Sequence, residues 1–455
     1  MVDSSATETP PEYTREPPTH DGLPVIGNTH QLVSQQGGLF EAAAEHGDVV
    51  RLQLLGMGDL YLVSSPALVE ELLVDPDNQF QKATQSKEDL QSLIGEGLIL
   101  SDGELWERQR ERIEPAFYMD RIKGYTETMT AEIERAAADW ADEPTVDIEA
   151  EMKALTLRIL VTSMFGSEIN YEDRGIRETV TQLQEPGEPA KQPIARMIPQ
   201  WVPIPMWRRY KQGIDEMESV IETFIEARRG EVDEHDDLLS MLLAGTDEEG
   251  EEMSEKLVRD ELMTFLFAGH ETTATALTFS WFLLAQHPDV ERRLTEELDT
   301  VLDGRQPTFE DLPQLEYTEK VLKEAMRIYP PVPTVPREPT EATTLGGYRI
   351  PAGATVGASQ WVIHRDERFW DDPQAFCPKR FDSESDRPDF AYFPFGGGPR
   401  RCIGQQFAMV EAKLILARLA QQYTVELVSD PDVDLSVSIT TRPLEPIKMR
   451  IASRS

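Results

Sequence analysis

The stretch that most constrains the fold of this chain lies between Phe393 and Gly404. It reads Phe-Pro-Phe-Gly-Gly-Gly-Pro-Arg-Arg-Cys-Ile-Gly. Three consecutive glycines and two prolines disfavour regular structure and favour a tight loop. The residues that follow, 405–419, carry apolar side chains at helical spacing, so the sequence predicts that Cys402 stands just before a helix. Backbone N–H groups and the positive end of the helix dipole would stabilise a thiolate there, as a metal ligand requires.

The spacing of this stretch, F-x-x-G-x-R-x-C-x-G, resembles the haem-ligand loop of the cytochrome P450 superfamily. The fixed positions are occupied by Phe395, Gly398, Arg400, Cys402 and Gly404. Thiolate ligation of haem iron in that family favours cleavage of the O–O bond. The alternative is a glycine–proline turn around a buried structural cysteine, which is the usual role of a lone cysteine. Five fixed positions within ten residues favour the haem ligand.

A long helix is predicted from Ser254, its N-terminal cap, to about Gln286. It contains Ala-Gly-His-Glu-Thr-Thr at 268–273, and a glycine followed by two β-branched residues is a poor helix interior. A hydroxyl that bonds a backbone carbonyl and a glycine without a side chain both favour a local kink, and one interpretation is that the segment is only such a kink in a buried helix. The segment also resembles the family's A-G-x-[DE]-T-T motif. That resemblance implies that Ala268 and Gly269 lie beside the haem, and that the catalytic residues Thr272 and Glu271 supply and relay protons.

A second group of residues matches the family's haem-binding positions. Trp106 and Arg110 lie four residues apart and therefore share one face of a helix, which suits an anionic group. A surface arginine stacked on a tryptophan is the alternative. Together with the Cys402 loop, the resemblance implies that the haem carboxylates are held by Trp106, Arg110, Arg337 and Arg400. It also implies that Phe395 packs over the sulfur side of the haem.

Glu324 and Arg327 can pair within one helical turn, and as an isolated pair they would be a surface ion pair of little energetic value. They also resemble the family's buried E-x-x-R pair, which implies that Arg380 joins them as a structural triad. By the same resemblance the substrate contacts are Val332, Val335, Ile439 and Thr440. The proline-interrupted segment 182–212 is expected to form a lid over the substrate channel.

The composition excludes several classes of protein. With 44 Lys and Arg against 83 Asp and Glu, the net charge is −39, which argues against a nucleic-acid partner. Such acidity keeps proteins hydrated in concentrated salt, so we expect a halophilic protein in a salt-rich cytoplasm. We find no signal peptide and no apolar run long enough to span a membrane, and we therefore expect a soluble protein. Cys377 and Cys402 are the two cysteines, which exclude a four-cysteine metal site but allow a disulfide between them.

The predicted fold is mainly α with small β-sheets, the cytochrome P450 fold. In that fold the haem lies between the long central helix and the cysteine loop with its helix. We expect a disordered acidic and proline-rich tail over residues 1–19 and a single haem domain over residues 20–455. The β-rich parts of that domain are expected at about 48–75 and 330–375, and the remainder is expected to be mostly helical.

The resemblance implies a haem-thiolate monooxygenase with haem b as its cofactor. Such an enzyme would insert one oxygen atom from O2 into a small hydrophobic organic substrate. Because no flavin or nicotinamide motif is present, we expect electrons from a separate ferredoxin or flavodoxin with its reductase. The alternatives are a peroxide-using haem-thiolate enzyme and a non-catalytic haem protein that binds or senses a gas. The Glu271–Thr272 pair favours the monooxygenase.

Overall fold

The computed structural model describes residues 15–75, 79–142, 144–166, 204–245, 253–382 and 386–454, together with Ile176, Thr179, Leu183 and Val202. The helices within these ranges are α1 Thr29–Gln35, α2 Gly37–Ala44, α3 Pro66–Val74, α4 Thr84–Ile94, α5 Gly103–Ile113, α6 Met119–Asp142, α7 Ile148–Met164, α8 Pro205–Arg228, α9 Leu238–Ala244, α10 Glu255–Gln286, α11 Pro288–Leu302, α12 Glu316–Ile328, α13 Gln360–Ile363 and α14 Gln405–Gln422. Most of the predicted lid, 182–212, lies outside the described residues, although α8 covers its last part.

The strands are short and form separate sheets. They are β1 Val49–Leu54, β2 Gly58–Val63, β3 Phe80–Gln81, β4 Thr145–Asp147, β5 Thr334–Pro339, β6 Thr343–Leu345, β7 Tyr348–Ile350, β8 Thr355–Ser359, β9 Tyr423–Leu427, β10 Leu435–Val437, β11 Thr441–Pro443 and β12 Lys448–Ser453. The largest sheet has the order β1-β2-β8-β5-β3, in which β2 and β8 run parallel. β12 lies between β4 and β9, and β10 pairs with β11. This combination of many helices with small sheets confirms the predicted fold class.

The core is built around α10, which we call the central helix. Ser254 caps it, because its hydroxyl accepts a hydrogen bond from the N–H of Leu257 at 3.2 Å, as the sequence predicted. Side chains on nearly all faces of the helix are buried between Val258 and Leu284, which is typical of a helix enclosed by others rather than lying at a surface. It packs against α7, α12 and α14, and α14 is the helix that follows Cys402.

The register of the β5–β8 pair orients one wall of the interior. Val335 lies opposite Ala358 and Arg337 lies opposite Val356. Because side chains alternate along a strand, Val335 and Arg337 project from the same face of the sheet. The sheet thus presents an apolar side chain and a cation side by side toward the helical core.

The predicted division of the chain needs one correction. Residues 15–19, which the sequence placed in a disordered tail, include bridges to strands: Arg15 pairs with Tyr348 and Thr19 with Arg51. The Arg15 guanidinium also lies 4.2 Å from the centroid of the Tyr348 ring. These contacts join the segment to the domain, while residues 1–14 lie outside the described part of the chain. The expected β-rich regions do contain β1, β2 and β5–β8, although β9–β12 lie beyond them.

Candidate active site

A cavity of about 330 Å³ lies between the central helix and the loop that carries Cys402. Its lining is mainly apolar and includes most of the residues that the sequence assigned to the site. From the predicted haem-binding group it includes Trp106, Arg110, Ala268, Gly269, Arg337, Phe395, Arg400 and Cys402. Thr272, Val332 and Val335 also line it. Segments that are up to about 300 residues apart in sequence therefore meet at one site.

The Cys402 loop is shaped by its own backbone hydrogen bonds. The N–H of Cys402 donates to the carbonyl of Phe395 at 3.0 Å, and the N–H of Gly396 donates to the carbonyl of Phe393 at 2.8 Å. Gly398 has φ +66°, and a side chain there would collide with the carbonyl oxygen of Leu73. The third glycine of the loop is therefore required both by its backbone conformation and by the space available.

Desolvation and local charge act in opposite directions on the Cys402 thiol. Cys402 is exposed to the cavity, but the protein around it keeps its sulfur away from bulk solvent, and this desolvation is the largest influence and raises the pKa of the thiol above its usual value. The N–H of Gly404 and the charges of Arg110 and Arg401 lower the pKa, which is the effect that the sequence predicted for this position. The expected stabilising groups are thus present, although desolvation outweighs them in the pKa of the thiol. Both cysteines are free, so the disulfide that the sequence allowed is absent.

On the opposite wall, the central helix presents small side chains. Ala268, Gly269 and Thr272 line the cavity, and the Thr272 hydroxyl donates to the carbonyl of Ala268 at 3.1 Å. A side chain at Gly269 would come within 3.0 Å of Leu160 on α7, so a glycine lets the two helices approach closely. The helix is continuous from Glu255 to Gln286 across this segment. The hydroxyl–carbonyl bond that the sequence predicted is therefore present within an uninterrupted helix.

Cations collect at one edge of the cavity. Arg337 is only 5% exposed, and burial together with the nearby Arg400 lowers the pKa of its guanidinium to about 10. Arg400 forms an ion pair with Asp102 and lies over the ring of Trp106, 4.4 Å from its centroid. Arg110 donates to the carbonyl of Arg401 at 3.0 Å. A buried guanidinium destabilised by its neighbour is a site where an anionic group would relieve an electrostatic cost.

These features fit a haem. The described residues contain no group of three His, Cys, Asp or Glu side chains that could hold a metal ion. A metal bound by Cys402 must therefore bring its remaining ligands with it, as haem iron does. The apolar walls suit a porphyrin, and the cluster of Arg337, Arg400, Arg110 and Trp106 suits its two carboxylates. Haem, when bound here with a thiolate ligand, supplies the chemistry that activates O2.

Glu271 does not line the cavity. Its carboxylate is buried and forms an ion pair with Arg442 at 2.6 Å, and it also accepts a hydrogen bond from the Thr440 hydroxyl at 3.2 Å. Thr440, which the resemblance assigned to the substrate contacts, is outside the cavity lining, and its hydroxyl is directed to the central helix. Ile439 is also outside the lining and is 43% exposed. The turn between β10 and β11 thus holds Glu271 rather than forming a wall of this cavity.

The predicted structural triad is present and buried. Glu324 and Arg327 are fully buried, and the Glu324 carboxylate accepts from Arg327 Nε at 2.8 Å and from Arg380 Nε at 2.8 Å. The N–H of Cys377 donates to the same carboxylate at 2.9 Å. Arg327 also donates to the carbonyl oxygens of His364, Pro373 and Ala375. The triad therefore ties α12 to the segment that leads toward the Cys402 loop.

Sequence reasoning missed several lining residues. Leu98 and Ile99 precede α5 and Phe117 follows it, and nothing in their local pattern distinguishes them from core residues. Gln360 also lines the cavity, is 1% exposed, and has no hydrogen-bond partner for either amide atom among the described residues. An isolated glutamine carries no motif, so only the β5–β8 pairing that places it could have identified it.

A comparison with known families decides the identity of the chain. A family model described as Cytochrome P450 matches residues 17–448. The chain belongs to the cytochrome P450 family. The P450 match covers the cysteine loop, the central helix and the triad, so the three motifs and the cavity belong to one family architecture. Among the described helices of this P450, none has the length and apolar character that crossing a membrane would require.

Relatives with assigned activities are similar along nearly the whole P450 chain. Cyclooctatin synthase of Streptomyces melanosporofaciens is 34% identical over 434 residues, which cover 94% of each chain. Cyclooctat-9-en-7-ol 5-monooxygenase of the same organism is 34% identical over 431 residues, covering 93% of this chain and 92% of the relative. Pentalenene oxygenase of Streptomyces avermitilis is 30% identical over 440 residues, covering 95% and 96%. This P450 is a haem-thiolate monooxygenase.

Proposed function

We propose that this P450 uses haem b to insert one oxygen atom from O2 into a small hydrophobic substrate of the terpene class. The cavity carries the proposal: Cys402 lies on one wall, Ala268, Gly269 and Thr272 lie on the other, and a buried arginine stands at the edge. The bacterial relatives support the substrate class, because their names refer to cyclooctat-9-en-7-ol and pentalenene. An apolar cavity with few polar groups suits a hydrocarbon skeleton.

Each residue of the site has a proposed role that follows from its position. Cys402 provides the thiolate ligand to the iron, and Phe395 restricts the access of water to the sulfur. Arg337, Arg400, Arg110 and Trp106 hold the haem carboxylates. Contacts within the protein position two of these groups: Arg400 pairs with Asp102, and Arg110 donates to the Arg401 carbonyl.

Substrate and proton handling are assigned to the remaining lining residues. Val332 and Val335 form the apolar wall beside the haem edge and contact the substrate. Thr272 presents its hydroxyl at the cavity, where it can pass a proton from solvent to oxygen. Glu271, held by Arg442 and Thr440, lies one residue away on the same helix and relays protons to Thr272.

Electrons are proposed to come singly from a separate ferredoxin or flavodoxin with its reductase. The chain offers no G-x-G-x-x-G unit for a nicotinamide or flavin dinucleotide, and the Gly396–Gly398 run belongs to the cysteine loop. We therefore infer that this P450 receives its electrons from an external donor.

The proposal is tested in two steps with the haem-loaded protein. The reduced carbon monoxide complex should absorb at the long-wavelength position that is diagnostic of a thiolate ligand. The Cys402→Ala variant should lose this absorption, and the Cys377→Ala variant should keep it. Cyclic sesquiterpene and diterpene hydrocarbons should then shift the haem spectrum and be hydroxylated with a ferredoxin, ferredoxin reductase and NADPH. A histidine-type carbon monoxide spectrum would refute the ligand. Turnover with added peroxide but not with the ferredoxin system would favour the peroxide-using alternative.

A further inference from the structure

The segment from Gly95 to Asp102, here called the loop 95–102, forms part of the cavity wall. It follows α4 and precedes α5, and its Leu98 and Ile99 line the cavity. Leu98 is only 7% exposed. The position of these two side chains therefore determines how much space remains above the opposite wall.

Two adjacent carboxylates on the central helix hold this loop. Asp260 accepts a hydrogen bond from the N–H of Glu96 at 3.0 Å, and Glu261 accepts one from the N–H of Leu98 at 3.0 Å. On the other side of the loop, Gln109 of α5 donates to the carbonyl of Glu96 at 2.8 Å. Three side chains from two helices thus satisfy the backbone polar groups of a segment that has no strand partner.

The loop approaches the central helix too closely for side chains at two positions. A Cβ at Gly95 would collide with the Asp260 carboxylate, and a Cβ at Gly97 would collide with the Thr264 hydroxyl and approach the Asp260 carbonyl oxygen to 2.7 Å. Gly95 also has φ +53°. The glycines are therefore what allows the backbone of the loop to reach the two carboxylates.

The other end of the loop reaches the haem site. Arg400 donates to the carbonyl of Ser101 at 2.8 Å and pairs with Asp102. The loop is consequently fixed at its beginning by the central helix and at its end by an arginine assigned to a haem carboxylate. A change in its position would alter the cavity wall without disturbing the cysteine loop directly.

Glu261 is in an unusual environment for a carboxylate. It is completely buried, and burial raises its pKa from 4.5 to about 8. Among the described residues, the groups that act on it are Asp260 on the same helix, which raises the pKa further, and the Leu98 N–H and the Gln109 amide, which lower it. Its second oxygen and the Gln109 carbonyl oxygen are both buried without a hydrogen-bond partner. A protonated Glu261 is able to donate to such an acceptor.

We propose that Asp260 and Glu261 are positioning residues that hold the loop 95–102 closed, with Glu261 as a neutral acid, and thereby fix the Leu98–Ile99 wall of the substrate cavity. Loss of one such buried hydrogen bond should change the ratio of open to closed loop by roughly five- to hundredfold. The inference rests on the proposed function only in taking this cavity as the place where substrate binds.

A dependence on pH follows from the position of the proton. Glu261 binds its proton more tightly in the closed loop than in an open, hydrated one, where its pKa would be near 4.5. Closure is therefore most stable below about pH 4.5 and loses stability as the pH rises toward about 8. The ratio of open to closed loop should increase by at most about tenfold for each pH unit in this interval.

Hydrogen–deuterium exchange of peptides covering the loop 95–102 in the haem-loaded protein tests the proposal without any substrate. Glu261→Ala should increase exchange of these peptides roughly five- to hundredfold. Glu261→Gln, which can accept from Leu98 and donate to Gln109, should match the wild type near pH 4.5, where Glu261 is protonated in both the closed and the open loop. The ratio of wild-type to Glu261→Gln exchange should rise between pH 5 and pH 8. Unchanged exchange in Glu261→Ala, or a ratio that stays constant with pH, would overturn the proposal.

The affinities of two nitrogen ligands of the haem iron can be used to detect a change in the Leu98–Ile99 wall of the cavity. Imidazole occupies less of the cavity than 4-phenylimidazole does, so Glu261→Ala should weaken the binding of 4-phenylimidazole more than the binding of imidazole. An equal loss for both ligands would indicate general damage to the haem site and would contradict the proposed role. Because these ligands bind whether or not terpenes are substrates, this result is independent of the proposed substrate class.

A pair of glycine variants provides the same test should Glu261→Ala fail to fold. Gly97→Ala introduces a methyl group that collides with Thr264. This variant should increase hydrogen–deuterium exchange of the loop 95–102 and weaken the binding of 4-phenylimidazole. Gly124→Ala, within α6, introduces the same methyl group where nothing lies within 4 Å, and it should change neither measurement. Equal behaviour of the two variants would refute the close docking of the loop on the central helix.

Discussion

Replacing Glu324 with alanine should destabilise this P450 more than any single surface change. The Glu324 carboxylate accepts four N–H bonds: two from Arg327 at 2.8 and 2.9 Å, one from Arg380 at 2.8 Å and one from the Cys377 backbone at 2.9 Å. Both Glu324 and Arg327 are fully buried. Removal of the carboxylate leaves a buried guanidinium without its counter-charge.

The size of the effect follows from that uncompensated charge. Breaking a buried ion pair by removing one partner costs about 3–5 kcal/mol. Arg327 keeps its bonds to three backbone carbonyls, which offset part of the loss. We therefore expect the free energy of unfolding to fall by about 3 kcal/mol or somewhat more. The haem should also dissociate more readily, because the triad supports the segment leading to the Cys402 loop.

Urea unfolding of the haem-loaded protein, followed by far-ultraviolet circular dichroism and by haem absorbance, measures both effects. Glu296→Ala is the matched control, since Glu296 makes an exposed ion pair with Arg292 at 2.7 Å on α11. That pair should contribute about 0.5 kcal/mol or less. If Glu324→Ala cost no more than Glu296→Ala, the argument that the buried triad depends on charge compensation would be refuted.

Three further predictions concern catalysis, salt and acid. Thr272→Ala should keep the carbon monoxide spectrum and the substrate affinity but divert reductant to hydrogen peroxide, since a positioned proton donor contributes about 10²–10⁴-fold in rate. An unchanged product yield per electron would contradict the proposed role of Thr272. With a net charge of −39, the thermal midpoint should rise from roughly 0.01 M to molar salt, as the screening length falls from about 30 to about 3 Å, and a flat midpoint would contradict the halophilic expectation. Arg305 lowers the pKa of Asp311 from 3.8 to about 2, so the ionised Asp311 stabilises the folded protein above pH 3.8 and this stabilisation is lost as the pH falls toward 2. Acid unfolding of Asp311→Asn should lack this pH-dependent loss of stability.

Local motifs in the sequence predicted the parts of the site that depend on neighbouring residues. The glycines before Cys402, the Ser254 cap and the shared face of Trp106 and Arg110 are all consequences of short-range geometry. The positions of Trp106, Arg110 and Arg337 at one cavity edge also agree with the family resemblance. Their assignment to the haem carboxylates remains a proposal.

The contacts that escaped prediction join distant parts of the chain. Glu271 pairs with Arg442, which is 171 residues further along, and no local pattern specifies such a partner. Glu261 and the loop 95–102 are similarly distant from each other in sequence. An Asp-Glu pair near the start of a helix is usually exposed to solvent, so the local sequence does not indicate this contact. Local sequence also does not specify where the side chains of Ile439 and Thr440 lie, because the direction of their turn depends on the elements against which the turn packs.

The contacts of residues 442–453 affect the order in which the protein can assemble as it is synthesised. β12 lies between β4 and β9, with Lys448 opposite Asp147 and Met449 opposite Leu427. Until the ribosome has delivered these residues, the sheet lacks its middle strand and Glu271 lacks Arg442. The nascent chain can form α6, α7 and the central helix earlier, but it cannot complete their surroundings. The sheet around β12 and the ion pair that holds Glu271 are therefore completed only after residues 442–453 have been synthesised.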